Sequence, residues 1–215
     1  MSGVRARGSG KFKKRKLIEL AGSKILLVGC GSGKYLQFSM FAGRSAFGID
    51  LSPACAAAAN IKSSGRALVS DASMLPFPDK SFDTVALWDV LEHLDDDCRG
   101  LRESIRVAKN NVLFSVPSED AFPDYSSGVT YRTYTDLSHR RYYNRQRIDS
   151  LVSVCGQKDY DVEMFDRIRP LLIYRRVGIP RFLLSMLDRL FWLVSSKSDS
   201  IKRNFFVEVR LNGGG

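Results

Sequence analysis

Short apolar runs alternate with stretches of helical length from residue 24 onward. The first five runs read KILLVG, SAFGID, ALVSD, FDTVALWD and NNVLFSVP. They are apolar on both faces, as strands of a parallel sheet covered by helices on both sides must be. Between them lie helix-length stretches such as SPACAAAANIKSSG, which opens with a Ser-Pro start signal, and CRGLRESIRVAK. The pattern predicts a doubly wound α/β fold with a mostly parallel sheet.

The alternation stops after Pro117. Residues 118–145 are rich in Tyr, Ser, Asp and Arg and fit neither period, which predicts a long connection on the substrate side. A helix that ends at Gly156 follows, and then two further strand-like runs, YDVEMF and NFFVEVRLN. Residues 166–203 separate these runs and form an insertion before the last strand. We expect the two late strands to complete the sheet with an antiparallel edge strand.

The insertion carries an apolar stripe at helical spacing. Pro180 can begin a helix, and Asp188 and Arg189 interrupt its apolar face, which rules out a comfortable transmembrane span. We interpret the stripe as a lid packed on the core. The alternative is a surface that meets a lipid or an amphipathic substrate, because arginines cluster nearby. The stripe comprises Leu183, Leu184, Leu187, Leu190, Phe191 and Val194, and the arginines are Arg167, Arg169, Arg175, Arg176 and Arg181.

Length and charge refine this picture. The 215 residues suit one domain, which we place at residues 17–212. The net charge is +10, and residues 1–16 hold seven Lys or Arg and no acid. We expect these sixteen residues to form a disordered basic tail that attracts a polyanion, either nucleic acid or an acidic lipid surface.

The cysteines indicate a compartment. Cys30, Cys55, Cys98 and Cys155 lie far apart, without a CxxC pair, and no signal-peptide pattern precedes them. This spacing favours the reducing cytoplasm over a disulfide framework or a zinc cluster. From the basic segments we also expect peripheral contact with an anionic membrane.

Three glycines follow the first apolar run, at the point where a helical pattern begins. Gly29, Gly31 and Gly33 allow the backbone to approach a ligand and leave the N-terminus of the next helix facing it. Lys34 stands where a dinucleotide-binding GxGxxG motif has its last glycine, and nothing resembles a phosphate loop. Asp50 ends the second run, where an acid can accept hydrogen bonds from two ribose hydroxyls. The loop is therefore a candidate nucleoside site, and a nicotinamide dehydrogenase is disfavoured.

The series VGCGSG, GIDLSP, SDASMLPFPDKSFD and LWDVLEHL, in this order and at these spacings, resembles the class I S-adenosylmethionine-dependent methyltransferases. SHRRYYNRQRIDSLVSVCG is similar to the late helix region of small-molecule and glycan-modifying members. The resemblance implies a seven-stranded Rossmann-like sheet and S-adenosyl-L-methionine as cofactor. It implies that Gly29, Cys30, Gly31 and Gly33 wrap the methionine part, Asp50 and Leu51 meet the ribose, Asp71 and Ala72 meet the adenine, and Trp88 and Asp89 flank the sulfonium.

One position departs from the family pattern. The family usually has an acid two residues before the first glycine, where it helps to hold the amino group of the cofactor, and this chain has Leu27 there. Either the cofactor binds more weakly, or another group compensates, with Asp89 as the candidate.

The two histidines of the chain are the candidate catalytic residues. His93 and His139 can serve as a base or an orienting group for a hydroxyl acceptor near neutral pH. Asp89, Glu92 and His93 also have the spacing i, i+3, i+4 of one helical turn. With His139 they resemble the ExxEH…H metal cluster of small-RNA 2′-O-methyltransferases, so these four residues are the candidate ligands of a divalent metal.

Three functions follow. The first is an S-adenosylmethionine-dependent methyltransferase that acts on oxygen of a small-molecule, glycan or lipid-linked acceptor. The second is an RNA 2′-O-methyltransferase that uses the DxxEH…H cluster, with the basic tail in contact with RNA. The third is a catalytically inactive cofactor-binding scaffold, which Leu27 favours.

Overall fold

The computed structural model describes residues 7–119, 138–167 and 202–211, together with 180, 182–183, 186–187 and 190. In these ranges the elements follow the predicted alternation of strands and helices. They are α1 Arg7–Leu20, β1 Lys24–Val28, α2 Lys34–Phe41, β2 Ser45–Asp50, α3 Pro53–Ser63, β3 Ala67–Val69, β4 Phe82–Trp88, a 3-10 helix Leu91–His93, α4 Asp97–Val107, β5 Ala108–Pro117, α5 Arg145–Val154, β6 Tyr160–Arg167 and β7 Lys202–Arg210.

The strands form one seven-stranded sheet in the order β3-β2-β1-β4-β5-β7-β6. The five strands β3, β2, β1, β4 and β5 run parallel to one another, whereas β7 runs antiparallel to both β5 and β6. The predicted doubly wound fold is confirmed. The antiparallel strand β7 lies inside the sheet, and β6 forms the outer edge.

Side-chain caps fix where three of the helices begin. The Ser52 hydroxyl accepts a hydrogen bond from the amide of Cys55, and Pro53 follows as the first helical residue. Asp96 caps α4 through the amide of Arg99 at 2.9 Å. Asn144 caps α5 in the same way. Each cap satisfies an amide that the helix itself leaves without a partner, so these helices begin where the sequence offers Ser, Asp or Asn.

Alternate residues of β1 enter two different apolar layers. Leu26 and Val28 pack with α4 and α5, whereas Ile25 and Leu27 pack with α1, α2 and α3. The sheet is thus covered on both faces, as the strands without polar alternation predicted. Leu27 stands where the family that the sequence resembles usually has an acid, and its side chain is buried in the second layer.

The prediction of a solvated basic tail is wrong for residues 7–16. They belong to α1, and the side chain of Lys13 is buried. Phe12 stacks on Phe165 of β6 with 4.3 Å between ring centroids. The helix forms because Leu17 and Ala21 follow Lys13 at four-residue spacing and give it one buried face. Residues 1–6 lie outside the described residues.

Candidate active site

The carboxyl ends of the parallel strands meet at one edge of the sheet, and the candidate residues lie along it. Val28 pairs with Ile49 on one side and with Leu87 on the other, so the residues that follow these strands are neighbours. This edge is where open α/β sheets bind their ligands.

The glycine loop has a backbone that other residues tolerate poorly. Gly29, Gly31 and Gly33 all have positive φ, at 64°, 53° and 79°. A Cβ on Gly29 would lie 2.5 Å from Cγ2 of Val90, and one on Gly33 would lie 2.9 Å from the Cα of Ala59. Glycine is therefore required at Gly29 and Gly33 both for conformation and for close packing.

One carboxylate organises this loop. Oδ2 of Asp50 accepts a hydrogen bond from the amide of Gly31 at 2.8 Å, and Oδ1 accepts one from the amide of Ser52 at 2.9 Å. The side chain stays half-buried at the end of β2. Because each carboxylate oxygen has a second lone pair, Asp50 can hold the loop and still accept hydrogen bonds from a diol.

Cys30 fills space within the loop. Its Sγ lies where a Cβ on Gly48 would come within 2.8 Å, so Gly48 makes room for it. Burial, and to a lesser degree the charge of Asp50, raises the pKa of Cys30 to about 12. The side chain is therefore a neutral thiol near pH 7 and acts here as a spacer.

The loop after β3 presents an acid among exposed apolar side chains. Oδ1 of Asp71 accepts hydrogen bonds from the amide and hydroxyl of Ser73, and these bonds hold the pKa of Asp71 below its usual range. Ala72 is buried. Leu51 is 70% exposed and Met74 is 69% exposed. Apolar side chains that face solvent beside an ionised acceptor suit the faces and edge of a purine.

An ion pair between two residues of α4 holds the loop after β3 against that helix. Arg106 makes a two-pronged contact with Glu103 and also donates to the carbonyls of Leu75 and Phe77. Glu103 accepts in turn from the amide of Leu75 at 2.8 Å. The guanidinium of Arg106 holds the pKa of Glu103 below its usual range. The pair thus positions the segment that carries Asp71.

At the end of β4, Asp89 binds a lysine from the N-terminal helix. Asp89 has a positive φ of 57°. Its Oδ2 forms an ion pair with Nζ of Lys13, and its Oδ1 accepts from the hydroxyl of Ser115 at 2.6 Å. Desolvation raises the pKa of Asp89, but Lys13 and Ser115 outweigh it and leave the pKa below its usual range. The side chain of Asp89 remains 48% exposed, so the carboxylate can accept further hydrogen bonds.

Glu92, His93 and His139 form a cluster beside this pair. One ligand atom from each lies within 4.8 Å of the others, and the two imidazole centroids are 4.8 Å apart. Glu92 is buried, whereas both histidines are partly exposed. The predicted four-residue cluster is corrected to three, because Asp89 is left-handed and the helical turn begins only at Leu91.

Backbone hydrogen bonds attach the segment of His139 to the edge. The amide of Arg140 donates to the carbonyl of Glu92 at 2.9 Å, and that of Tyr143 donates to the carbonyl of Pro117 at 3.1 Å. Tyr143 is fully buried, and its hydroxyl donates to Asp97. His139 is therefore fixed by its neighbours, although residues 120–137 of the predicted connection lie outside the described residues.

The predicted insertion is described only in part. Residues 182–183, 186–187 and 190 are helical, and Phe182, Met186 and Leu190 are exposed. Leu183 is partly buried. Leu187 is 39% exposed. Leu184, Phe191, Val194 and the five arginines lie outside the described side chains. Among the helices that are described, none has the length and apolar character needed to cross a bilayer.

Comparison with known proteins matches part of this chain to methyltransferases. Residues 26–116 match a family model described as a methyltransferase domain. A probable S-adenosylmethionine-dependent methyltransferase of Mycobacterium tuberculosis is 30% identical over 138 residues, which are 63% of this chain and 48% of that protein. An uncharacterized methyltransferase of Bacillus subtilis, YrrT, is 34% identical over 83 residues, 38% of this chain and 39% of that protein. Over residues 26–116 the chain is thus similar to S-adenosylmethionine-dependent methyltransferases.

Solved structures agree with this methyltransferase fold. A methyltransferase from Archaeoglobus fulgidus superposes with a TM-score of 0.66 and 19% identity, covering 96% of each chain. A phosphoethanolamine N-methyltransferase of Haemonchus contortus, solved with S-adenosylhomocysteine, gives a TM-score of 0.64 and 19% identity over 96% of this chain and 53% of its own. The chain spans less than half the length of the curated relatives named above.

The residues at this edge fit the cofactor of those methyltransferases. The positive-φ glycines keep three positions of the loop free of side chains, Asp50 suits the ribose diol, and Leu51, Asp71 and Met74 suit the adenine. Trp88 contributes an indole Nε1 that is buried without a hydrogen-bond partner among the described residues. A buried donor of this kind calls for an acceptor, which a bound ligand can supply.

Sequence reasoning missed several residues of the methyltransferase site. Lys13 was counted as part of a charged tail, although its four-residue spacing to Leu17 placed it on the buried face of a helix. Ser115 and the Glu103–Arg106 pair gave no signal, because their roles depend on contacts between separate elements.

Proposed function

We propose that this chain transfers a methyl group from S-adenosyl-L-methionine to an oxygen atom of a small-molecule, glycan or lipid-linked acceptor. One observation carries the proposal: the glycine loop, Asp50 and Asp71 lie along the same edge as a pair of histidines that adjoins Asp89. A nucleoside site and a group that can take up a proton thus lie on adjacent strands.

The cofactor side assigns each residue a binding role. In the proposal the backbone of Gly29, Gly31 and Gly33 surrounds the methionine part, with Cys30 packed behind it. Asp50 accepts hydrogen bonds from the ribose hydroxyls beside Leu51, and Asp71 with the Ala72 backbone meets the adenine. Trp88 and Asp89 flank the sulfonium. When bound, the cofactor supplies an electrophilic methyl group, and alignment and exclusion of water are the main tasks left to the protein.

The acceptor side supplies a base. A hydroxyl must lose its proton as the methyl group arrives, and an imidazole is suited to take it near neutral pH. Nδ1 of His93 lies 3.1 Å from the carbonyl oxygen of Ser138. In the tautomer that donates this bond, Nε2 keeps a lone pair. His139 adjoins His93 edge to face, so in the proposal one ring accepts the proton and the other orients it.

Substrate choice is proposed to lie in the two segments that leave this edge. Residues 118–145 are attached by the bridge between Ser118 and Tyr143. Residues 166–203 leave β6 and return to β7 at the same edge, because Phe165 pairs with Asn204 and Pro117 pairs with Asn204 from the other side. The exposed Phe182, Met186 and Leu190 favour a lipid-linked or amphipathic acceptor and peripheral contact with an anionic membrane.

Labelled methyl transfer tests this proposal. The protein is incubated with methyl-labelled S-adenosylmethionine and a host extract, which is then separated into RNA, protein, lipid, glycan and small-molecule fractions. Label in the lipid, glycan or small-molecule fraction supports the proposal when mass spectrometry of the labelled product places the methyl group on oxygen. Label in the protein fraction alone contradicts the proposal. Binding of S-adenosylhomocysteine without label in any fraction supports the inactive scaffold.

The histidine cluster favours a second candidate, an RNA 2′-O-methyltransferase that holds a divalent metal. Glu92, His93 and His139 offer one carboxylate and two imidazoles, a ligand set that leaves further metal positions open. The test is titration of the protein with Mn²⁺ followed by electron paramagnetic resonance, with His139→Ala as the variant. Binding that His139→Ala abolishes, together with label in RNA, supports this candidate, and absence of binding contradicts it.

A further inference from the structure

Lys13 is a buried cation that the roles above leave without a task. Its side chain is only 2% exposed. The ammonium pairs with Asp89 and lies 5.9 Å from the ring centroids of both Trp88 and Phe165. Burying a lysine costs free energy unless its charge is compensated, and here a carboxylate and two aromatic rings compensate it.

The helix that carries Lys13 is firmly attached on both sides. Phe12 stacks on Phe165, and Lys16 forms an ion pair of 2.7 Å with Glu163 of β6. At the other end, Arg44 donates to the carbonyls of Ile18, Ala21 and Gly22. None of these contacts involves Lys13. All of them would have to break for α1 to leave the site. A ligand at this edge therefore meets Lys13 in place.

The Lys13–Asp89 pair lies beside the glycine loop. Asp89 follows β4, whose Leu87 pairs with Val28 of β1, and a Cβ on Gly29 would touch Val90. The start of α1 lies close to the side chain of Lys34 at the start of α2, since a Cβ on Gly10 would lie 3.2 Å from its Nζ. The pair thus borders the space next to the loop that surrounds the methionine part in the proposed function.

The charges of the pair complement those of an α-amino acid. Such a group carries one ammonium and one carboxylate close together, and the pair offers one carboxylate and one ammonium. Asp89 is half exposed and has lone pairs left after its bonds to Lys13 and Ser115. Leu27 is buried and apolar, so it cannot accept a hydrogen bond from an ammonium.

We propose that Lys13 and Asp89 together bind the amino-acid end of the cofactor, with Lys13 donating to its carboxylate and Asp89 accepting from its ammonium. This inference rests on the proposed function. It makes α1 part of the cofactor site, and it explains how a chain with Leu27 at the first strand binds a zwitterionic ligand.

Two nucleosides separate the inference from a structural role. S-adenosylhomocysteine has the amino-acid end, whereas 5′-methylthioadenosine lacks it and keeps the adenine and ribose. Isothermal titration calorimetry on the full chain measures both affinities for the unchanged protein and for Lys13→Met, which keeps the unbranched stem. We expect Lys13→Met to weaken S-adenosylhomocysteine about tenfold or more, the loss of a charge-assisted hydrogen bond. The affinity for methylthioadenosine should stay within about twofold, because this nucleoside has no carboxylate that Lys13 could bind.

Two further variants control the experiment. Lys14→Met changes the next residue of α1, whose ammonium lies 4.4 Å from the ring of Phe38, and should leave both affinities unchanged. The double variant Lys13→Met/Asp89→Asn removes both charges, so no carboxylate is left without its cation. We expect it to bind S-adenosylhomocysteine at least as weakly as Lys13→Met.

Each other result overturns the inference. Equal weakening of both nucleosides would give Lys13 a purely structural role, as would recovery of affinity in the double variant. Tighter binding of S-adenosylhomocysteine by Lys13→Met would mean that the ammonium competes with the ligand. If the unchanged protein binds neither nucleoside, the proposed function fails together with the inference. If it binds both and the variant binds both equally well, only the inference fails.

Discussion

The two sides of the sheet edge are built by different means. On the cofactor side, glycine backbone conformations and one carboxylate shape the loop, and Asp50 and Gly31 are only 19 residues apart in the chain. On the acceptor side, separate segments contribute single side chains: His93 and Ser138 are 45 residues apart in the chain. Substitutions on the first side should therefore alter folding and cofactor affinity, whereas those on the second should alter turnover with folding intact.

The largest effect is expected at Gly33. Replacement by alanine forces a residue with a side chain into the left-handed region and drives its Cβ against the backbone of Ala59. Together these costs should lower the free energy of unfolding by about 3 kcal/mol, measured by urea denaturation. Gly43→Ala is the matched control, because its φ is also positive but nothing lies within 4 Å of the new Cβ. Equal losses for both variants would refute the packing contribution.

The acceptor side should respond in the opposite way. His139→Ala is expected to reduce turnover about 100-fold, the usual contribution of a positioned base, and to leave the affinity for S-adenosylhomocysteine unchanged. Turnover is measured by label transfer to the acceptor fraction, and affinity by calorimetry. Arg145→Ala, an exposed change on α5, serves as control. Unchanged turnover in His139→Ala would remove this histidine from the mechanism.

Asp50 should act on the affinity for both nucleosides. Asp50→Asn keeps the shape of the side chain but loses its charge, and it should weaken S-adenosylhomocysteine and methylthioadenosine by a similar factor of about ten. The two losses are similar because both nucleosides carry the ribose. Asp95→Asn, an exposed change on the acceptor side, is the calorimetric control. A loss confined to S-adenosylhomocysteine would assign Asp50 to the amino-acid end and contradict its ribose role.

The smallest effect concerns the ion pair that holds the Asp71 loop. Because Arg106 lowers the pKa of Glu103 in the folded state, the pair stabilises the fold above the ordinary value of 4.5, and this stabilisation is lost as the pH falls through the lower folded value. Glu103→Gln should cost about 1.5 kcal/mol at pH 7, and the difference from the unchanged protein should shrink in urea titrations at acidic pH.

A control for this pH dependence is Glu19→Gln, which alters an exposed pair with Arg15 and should change stability by less than about 0.5 kcal/mol. A Glu103→Gln difference that is the same at every pH would exclude the charge of Glu103 as its source.

The fold and the cofactor side could be predicted from the sequence, because apolar strand runs and a glycine turn are local signals. The catalytic roles of His93 and His139 stay predictions: they were chosen as the two histidines of the chain, and the structure places their rings 4.8 Å apart. Asp89 does not join the cluster of Glu92, His93 and His139, because its left-handed conformation breaks the helical spacing on which its choice as a candidate metal ligand relied. Lys13 was missed because a count of charges hid the helical spacing of one buried face.

Hydrogen bonds fix the points at which the two segments leave and rejoin the sheet, and this has a consequence for evolution. Residues 120–137 are bounded by the bridge between Ser118 and Tyr143, and residues 168–201 by the pairing of Arg167 with Lys202. Each segment therefore leaves and re-enters the sheet at adjacent points, so its length and sequence can diverge without a shift in strand register. In the proposed function, a chain built in this way can be given a new acceptor by exchange of one segment, while the nucleoside half of the molecule is inherited unaltered.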